Sequence, residues 1–281
     1  MKVLVGGATG YLGKFVVKEC NKRGYWVRAL TRRGVISAID TFVDDWFVGE
    51  ITKEESISGI CQDIDVVIST IGITKQKDGL TYMDVDYQAN LNLLNEAKKS
   101  GVKKFIYISV FNAEKIKELQ GIKAKLKFEH ALINSGLEYT IIYPNGFFSD
   151  MKSYIQMAQN GRGYLFGNGD KKINPIHGSD LAKVCVDAVN IVDKKIEVGG
   201  PDILTHREII ELAFDCLGKK IKVTEIPLAI KNIFLVLLRT LTPVTFYGPI
   251  EFFMTVTTID LVAPQYGNHH LRDYFLDDLA N

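Results

Sequence analysis

Short apolar runs alternate with helical patterns through the first half of the chain. The runs Asp65–Thr70 and Lys104–Ser109 are nearly continuous in apolar residues, which is typical of parallel strands buried on both faces. Segments Gly10–Arg23 and Gln88–Lys99 carry apolar residues at helical spacing on one side. This alternation predicts an α/β fold, a doubly wound parallel sheet with right-handed crossovers.

After Pro144 helical patterns dominate. They cover residues 147–159, 179–190, 206–217 and 228–239, and short extended pieces such as Ile196–Val198 and Ile221–Thr224 separate them. We therefore predict two parts: residues 1–145, which form the sheet, and residues 146–281, a smaller, mainly helical lobe interleaved with it.

Residues 228–259 are rich in Leu, Ile, Phe and Val. The charged residues and prolines that interrupt them are Lys231, Arg239, Pro243, Pro249 and Glu251. No uncharged run reaches the roughly 20 residues that span a bilayer, so no transmembrane segment is expected. We interpret the stretch around Ile233–Leu238 as part of a helix pair that covers a pocket or meets a subunit, with an interfacial helix as the alternative.

Composition narrows the class of protein further. The chain is 47% hydrophobic and 24% charged, with a net charge of +1, which is ordinary for a globular protein and offers no field that attracts nucleic acid. The four scattered cysteines indicate a reducing compartment, and the first strand begins at once, so we expect a cytoplasmic monomer or homodimer without a signal peptide. The five histidines lack metal-ligand spacing, and no metal site is predicted.

A glycine-rich sequence, GGATGYLG, joins the first strand to the first helix. Its glycines allow a tight turn, a close approach of backbone amides to a pyrophosphate, and close packing of helix on strand. The helix N-terminus adds free N–H groups and its positive dipole end. We predict that this Rossmann-type junction binds a dinucleotide; a purely structural turn is the alternative. The residues assigned to it are Gly7, Thr9, Gly10, Tyr11, Leu12 and Gly13.

The end of the second strand indicates which dinucleotide is bound. Enzymes that use NAD place an acid there for the ribose hydroxyls, whereas this chain has Arg32 and Arg33 and no acid before Asp40. Because guanidinium groups pair well with a 2′-phosphate, we predict NADP(H), with NAD as the second choice. Two solvated surface arginines are the alternative interpretation. The remaining contacts with the adenine and the pyrophosphate–ribose region are expected from Glu50, Thr70, Ile71 and Gly72.

Several blocks resemble the atypical short-chain dehydrogenases/reductases, in particular NmrA-like, isoflavone-reductase-like and divinyl-chlorophyllide-reductase-like proteins. The blocks are GGATGYLG, DVDYQANLNLLNEAKKSGVKKFIYIS, SGLEYTIIYPNGFF, NPIHGSDLAKVCVDAV and VGGPDILTHREII, so the resemblance covers nearly the whole chain. It implies an NAD(P)-binding domain over residues 1–145 and a substrate lobe over residues 146–281.

The same resemblance implies an active site with a serine followed by Tyr-x-x-x-Lys. Ser109 stands in the serine region and Lys125 in the lysine position, but the tyrosine position is then Gly121, so the usual proton donor is missing. Lys125 would bind the nicotinamide ribose, with Lys123 or Lys127 in its place if the register slips. An ordinary helix ion pair between Lys125 and Glu129 is the structural alternative.

The turn after strand six would close over the nicotinamide. Tyr143, Pro144, Asn145 and Phe147 are therefore assigned to the cofactor, and Tyr143 or Asn145 is a candidate for the missing hydrogen-bond or proton donor. Tyr107 is a further candidate, although packing is the favoured explanation for it.

Taken together, these residues predict an NADP(H)-dependent reductase that transfers a hydride to a carbonyl or an activated double bond of an apolar small molecule. The predicted catalytic residues are Lys125, Ser109 and Tyr143. The alternative is an NmrA-like protein that binds NADP(H) as a redox sensor or an assembly or regulatory protein, without turnover. A sugar-nucleotide epimerase or dehydratase is a third possibility, which the missing tyrosine argues against.

Overall fold

The computed structural model describes residues 1–32, 34, 38–73 and 79–280. The strands, in chain order, are β1 (Lys2–Gly6), β2 (Trp26–Thr31), β3 (Asp45–Val48), β4 (Val66–Ser69), β5 (Lys104–Ile108), β6 (Glu138–Pro144), β7 (Gly163–Phe166), β8 (Lys172–Ile173), β9 (Lys195–Val198), β10 (Leu204–Thr205) and β11 (Val223–Ile226). Within the described residues, a seven-stranded parallel sheet has the order β3-β2-β1-β4-β5-β6-β9.

Helices cover both faces of this sheet. They are α1 (Tyr11–Lys22), α2 (Asn90–Lys99), α3 (Gln120–Ile133), α4 (Lys152–Gln159), α5 (Gly178–Asp187), α6 (His206–Cys216), α7 (Leu228–Leu241), α8 (Val244–Val256) and α9 (Leu271–Ala280). Because side chains alternate along a strand, Val3 and Val5 of β1 join a core with α1 and α5, and Leu4 joins a second core with α2 and α3. The predicted doubly wound α/β fold is confirmed.

The second half of the chain both extends the sheet and builds its own core. Strand β9, which contains the predicted piece Ile196–Val198, pairs with β6 in the main sheet. The other predicted piece corresponds to β11, which pairs instead with β7 in a separate two-stranded sheet. A third apolar core draws on helices α4, α6 and α9.

Helices α7 and α8 form the helix pair expected within residues 228–259, whereas α9 was not predicted from the sequence. In α8 the dipeptide Gly248–Pro249 lies within the helix and interrupts its apolar periodicity. None of the helices in the described part of the chain combines the length and the apolar content needed to cross a membrane.

The helix predicted over Gln88–Lys99 begins earlier in the chain than predicted, and its first turns are wound more widely than an α-helix. A π-helical segment, Met83–Ala89, precedes α2. The buried Asn90 side chain donates hydrogen bonds to the carbonyls of Val85, Asp86 and Ile71 at 3.3, 3.0 and 3.3 Å. A side chain that takes carbonyls of the preceding turn is a physical reason for its irregular winding. The segment matters for the site because it carries Asp86.

Candidate cofactor and active site

The glycine-rich turn forms a cradle that side chains would fill. Gly7 has φ of +78°. Across the turn, the Gly10 N–H donates a hydrogen bond to the Gly7 carbonyl at 2.9 Å. A Cβ on Gly13 would lie 2.1 Å from that carbonyl oxygen, which no side chain tolerates. Helix α1 begins directly after Gly10 with no side-chain cap and no acid in its first turn, all within described residues. Its N–H groups therefore fit the pyrophosphate of a dinucleotide.

The other residues assigned to this turn have distinct surroundings. Leu12 is buried in the core, whereas Thr9 is exposed. The Tyr11 hydroxyl accepts a hydrogen bond from the Gly178 N–H at 3.1 Å, and its ring lies 5.9 Å from that of Phe147. Tyr11 thus joins the glycine turn to the turn after β6 and to the start of α5.

The end of β4 lies against the glycine turn. The Thr70 hydroxyl donates to the carbonyls of Gly6 and Gly7, at 2.9 and 3.2 Å. Ile71 packs against Gly6, where an added Cβ would lie 2.9 Å from its Cδ1. Gly72 is exposed, and a Cβ there would lie 2.9 Å from Lys125 Nζ. The glycine turn and Lys125 therefore meet the same edge of the sheet.

At the adenine end, Arg32 follows β2 and is exposed, whereas Arg33 lies outside the described residues. Glu50 lies two residues past β3 and is half-buried; its carboxylate accepts a hydrogen bond from the Thr52 hydroxyl at 3.1 Å. The structure thus places Arg32 at the strand end where the sequence analysis predicts the 2′-phosphate contact.

Helix α3 presents three residues one turn apart, Gly121, Lys125 and Glu129. Each meets a different partner across the helix–sheet interface. The four-residue spacing keeps all three on one face, so their partners define one continuous wall of the candidate site.

Lys125 forms the central contact. Its Nζ lies 3.0 Å from Asp86 Oδ1, and the two side chains are 16% and 1% exposed. Its Nζ is also 5.6 Å from the centre of the buried Tyr107 ring. Burial lowers the pKa of Lys125, but the neighbouring Tyr107 and Asp86 side chains more than offset this, and the net direction is upward. The 3.0 Å contact makes Lys125 a hydrogen-bond donor to Asp86 at the end of β4.

The two lysines that sequence analysis left as alternatives to Lys125 point elsewhere. Lys123 is 47% exposed and pairs with Glu118 at 3.2 Å. Lys127 lies over the ring of Tyr87, 4.1 Å from its centre. The geometry favours Lys125 as the lysine at the end of β4.

Glu129 binds the serine and the tyrosine assigned to catalysis. The Ser109 hydroxyl donates to one oxygen of the buried Glu129 carboxylate, and the Tyr143 hydroxyl donates to the other at 2.8 Å. Burial and the nearby Glu129 charge raise the pKa of Tyr143. In place of the alternative Lys125–Glu129 helix pair, Lys125 pairs with Asp86. Glu129 accepts hydrogen bonds from Ser109 and Tyr143.

The third position explains the missing tyrosine in steric terms. A Cβ on Gly121 would lie 3.3 Å from Tyr82 Cδ1, and a Cβ on Gly248 of α8 would lie 3.1 Å from Tyr82 Cε2. The nearly buried Tyr82 ring therefore lies between two glycines, in the space next to the position where the family has its tyrosine.

In the turn after β6, the Asn145 side chain has a structural role. This buried amide donates to Asn174 Oδ1 at 2.6 Å and to the carbonyl of Leu261. Pro144 ends β6 and is buried, and Phe147 packs on Tyr11. Of the two donor candidates in this turn, Tyr143 is the one that shares a hydrogen-bond partner, Glu129, with Ser109.

Sequence reasoning missed Asp86 and Tyr82 as site residues and treated Glu129 only as a helix partner. Asp86 lies in a block that carries the family resemblance, and Tyr82 lies two residues before that block. The contact between Asp86 and Lys125 joins residues from two separate elements, so the spacing of residues within one segment does not predict it.

Comparison with known proteins identifies the family of this chain. A family model described as NAD(P)H-binding matches residues 7–191, and the chain belongs to that family. Within it, the fold and blocks are those of an atypical, NmrA-like short-chain dehydrogenase/reductase, as predicted.

Two relatives illustrate the range of the family. The chain is 32% identical to the chloroplastic divinyl chlorophyllide a 8-vinyl-reductase of Arabidopsis thaliana, over 83% of this chain and 61% of that protein. It is 29% identical to the photosystem II assembly factor Ycf39 of a Synechocystis strain, over 82% of this chain and 72% of that protein. This chain thus spans about three fifths of the length of the plant reductase.

A solved structure supports the fold alone. Isoflavone reductase superposes with a TM-score of 0.72 at 17% identity and covers 99% of each chain.

Proposed function

We propose that the protein is an NADP(H)-dependent reductase that acts on a carbonyl or an activated double bond of an apolar small molecule. The observation that carries the proposal is the Lys125–Asp86 pair, which lies at the end of β4 directly beneath the exposed Gly72. A buried, charged lysine beside the cofactor edge of a Rossmann sheet is a site to hold a ribose and stabilise developing negative charge.

The residues of the site have separate roles in the proposed reaction. When bound, NADPH supplies the hydride. The glycine turn and the start of α1 hold its pyrophosphate, and Lys125 donates hydrogen bonds at the ribose. With the cofactor in place, the Lys125 ammonium, held by Asp86 at 3.0 Å, would stabilise negative charge that develops on the substrate. Because burial and the Glu129 charge raise the pKa of Tyr143, its hydroxyl is a weak acid, and the proton would come from a water that the Ser109–Glu129–Tyr143 group orders.

The preference for NADP over NAD rests on Arg32, with Arg33 next to it in sequence. Arg32 stands exposed after β2, where an acid would otherwise bind ribose hydroxyls. The plant relative, whose name describes reduction of a vinyl group, supports an activated double bond as substrate.

A second candidate is a binder of NADP(H) that acts as a sensor or an assembly or regulatory protein without turnover. The observation that favours it is Gly121, since the usual tyrosine is absent and Tyr82 lies against its position. The relative named as an assembly factor supports the same alternative.

Two measurements on the full chain separate these functions. Calorimetric titration with NADPH and NADH tests cofactor binding, and absorbance at the nicotinamide band follows NADPH oxidation with a panel of quinones, aldehydes and enones. Binding with turnover on one class supports the reductase. Binding without turnover on every class supports the sensor, and absence of binding overturns both.

A further inference from the structure

Helix α7 is amphipathic with its apolar stripe turned outward. Ile230, Ile233, Phe234, Leu237 and Leu241 recur at helical spacing and so share one face. All five are exposed, Ile233 by 63% and Leu241 by 77%. Soluble helices normally bury such a stripe, so this one faces something other than water in at least one state of the protein.

The charged residues of α7 lie away from this stripe. Lys231 is buried and donates to the Thr258 hydroxyl at 3.1 Å. Arg239 donates through Nε to the buried carboxylate of Glu251 at 2.7 Å. The helix therefore satisfies its cations within the protein and leaves the stripe free of charge.

The polar side chains at the end of the helix are also satisfied internally. The Thr240 hydroxyl donates to the Leu237 carbonyl at 2.9 Å, and the Thr242 hydroxyl donates to the Leu238 carbonyl at 2.7 Å. Asn232 lies on the side of the helix opposite the stripe. Internal satisfaction is what a hydrocarbon environment requires, because lipid chains offer no hydrogen-bond partners.

Charge and length point to the headgroup region of a bilayer. No Asp or Glu occurs between Glu225 and Glu251, and the exposed Lys220 and Lys222 lie just before Glu225, next to Lys219, whose Nζ donates to the Gln159 carbonyl at 2.7 Å. Such a basic flank is complementary to anionic phospholipids. The 14 residues of α7 extend about 21 Å, too short to span the hydrocarbon core, so the helix would lie in the plane of the interface.

We propose that α7 docks the protein peripherally onto an anionic phospholipid surface, with the stripe of Ile230, Ile233, Phe234, Leu237 and Leu241 inserted among the headgroups. The inference is independent of the proposed reductase activity, since it uses no residue of the cofactor site.

The test is co-sedimentation of the full chain with vesicles of phosphatidylcholine alone and of phosphatidylcholine mixed with phosphatidylglycerol. We expect binding to the anionic vesicles, weakened by salt. The double variant Ile233→Glu/Leu237→Glu should lower partitioning at least about tenfold, because two apolar side chains leave the interface. The matched control Ile133→Glu/Val192→Glu changes two apolar residues of similar exposure on other surfaces and should bind as the parent does.

Three results would overturn the proposal. One is no binding to either vesicle, and another is equal loss in both double variants. The third is a lipid-free dimer, seen by light scattering, that the Ile233→Glu/Leu237→Glu variant dissociates, which would assign the stripe to a second copy. As a second readout, the emission of Phe234→Trp should shift to the blue with anionic vesicles, and an unchanged spectrum contradicts insertion.

Discussion

Helices α3 and α7 each carry a lysine on the inward side, but the surroundings of the two lysines differ. Lys125 of α3 faces a buried carboxylate at the cofactor edge of the sheet, and its pKa is raised. Lys231 of α7 faces a hydroxyl and a backbone carbonyl, and burial lowers its pKa. Lys125 thus has a buried carboxylate as its partner, and Lys231 has two neutral acceptors.

The largest expected effect tests this difference through stability. Asp86→Asn leaves the Lys125 cation without its counter-charge and should cost about 3–5 kcal/mol, whereas Lys231→Met should change stability by less than about 1 kcal/mol. Urea unfolding of both variants checks the contrast. Equal losses would mean that the two lysines are energetically alike.

A second prediction asks whether the Lys125–Asp86 pair does more than stabilise the fold. Lys125→Ala should weaken NADPH binding modestly and lower turnover by about 10²–10³-fold, because its contact matters most as charge develops. Steady-state kinetics and NADPH titration provide the measurements.

The control for that prediction is the double variant Asp86→Asn/Lys125→Met, which removes both charges. It should recover stability relative to Asp86→Asn but not turnover. Unchanged turnover in Lys125→Ala would show that the active-site register is wrong, and a change in affinity alone would support the sensor.

A third prediction extends the comparison to a buried histidine near α8. His206, 2% exposed, accepts or donates a hydrogen bond with the Tyr154 hydroxyl at 2.6 Å, and burial lowers its pKa from 6.5 to about 4. The unfolded chain therefore takes up the proton first. Stability from this group is present above about pH 6.5 and falls as the pH drops toward 4, by about 3 kcal/mol in all.

Unfolding measured across this pH range checks the sign. His206→Gln should reduce the acid slope and leave the part contributed by the half-buried His177, whose pKa burial also lowers to about 4. His130→Gln, which changes an exposed histidine, should leave the slope as it is. A parent protein whose stability is flat between pH 6.5 and 4 would contradict the interpretation.

The smallest expected effect concerns an exposed cation. Arg32→Ala should reduce the preference for NADPH over NADH by about 1.5–3 kcal/mol, which is the value of a charge-assisted contact with the 2′-phosphate. Dissociation constants for both cofactors measure it. Arg23→Ala removes a surface arginine that pairs with Glu19 and Asp187 and serves as the control. Equal affinities for the two cofactors in the parent would refute the assignment.

Much of the first half could be read from sequence because its signals are local. The predicted strand Lys104–Ser109 is observed as Lys104–Ile108, fully buried, since a continuous apolar run suits a two-sided sheet. The glycine turn is local at Gly10 and Gly13, which face the Gly7 carbonyl, whereas Gly7 also faces the distant Thr70. The π-helical segment before α2 was not predicted, because it depends on hydrogen bonds from the Asn90 side chain to carbonyls in two separate parts of the chain.

By itself, then, the sequence determined the alternation of strands and helices in the first half of the chain, the glycine-rich turn between the first strand and the first helix, and the family to which the chain belongs. Tertiary structure decided that Lys125 meets Asp86 rather than Glu129, that Tyr82 lies against Gly121, and that the stripe of α7 faces outward. The physical reason is range. Hydrophobic period and backbone sterics act over a few residues, whereas the partner of a buried charge, and the face that a helix turns inward, depend on elements that only folding brings together.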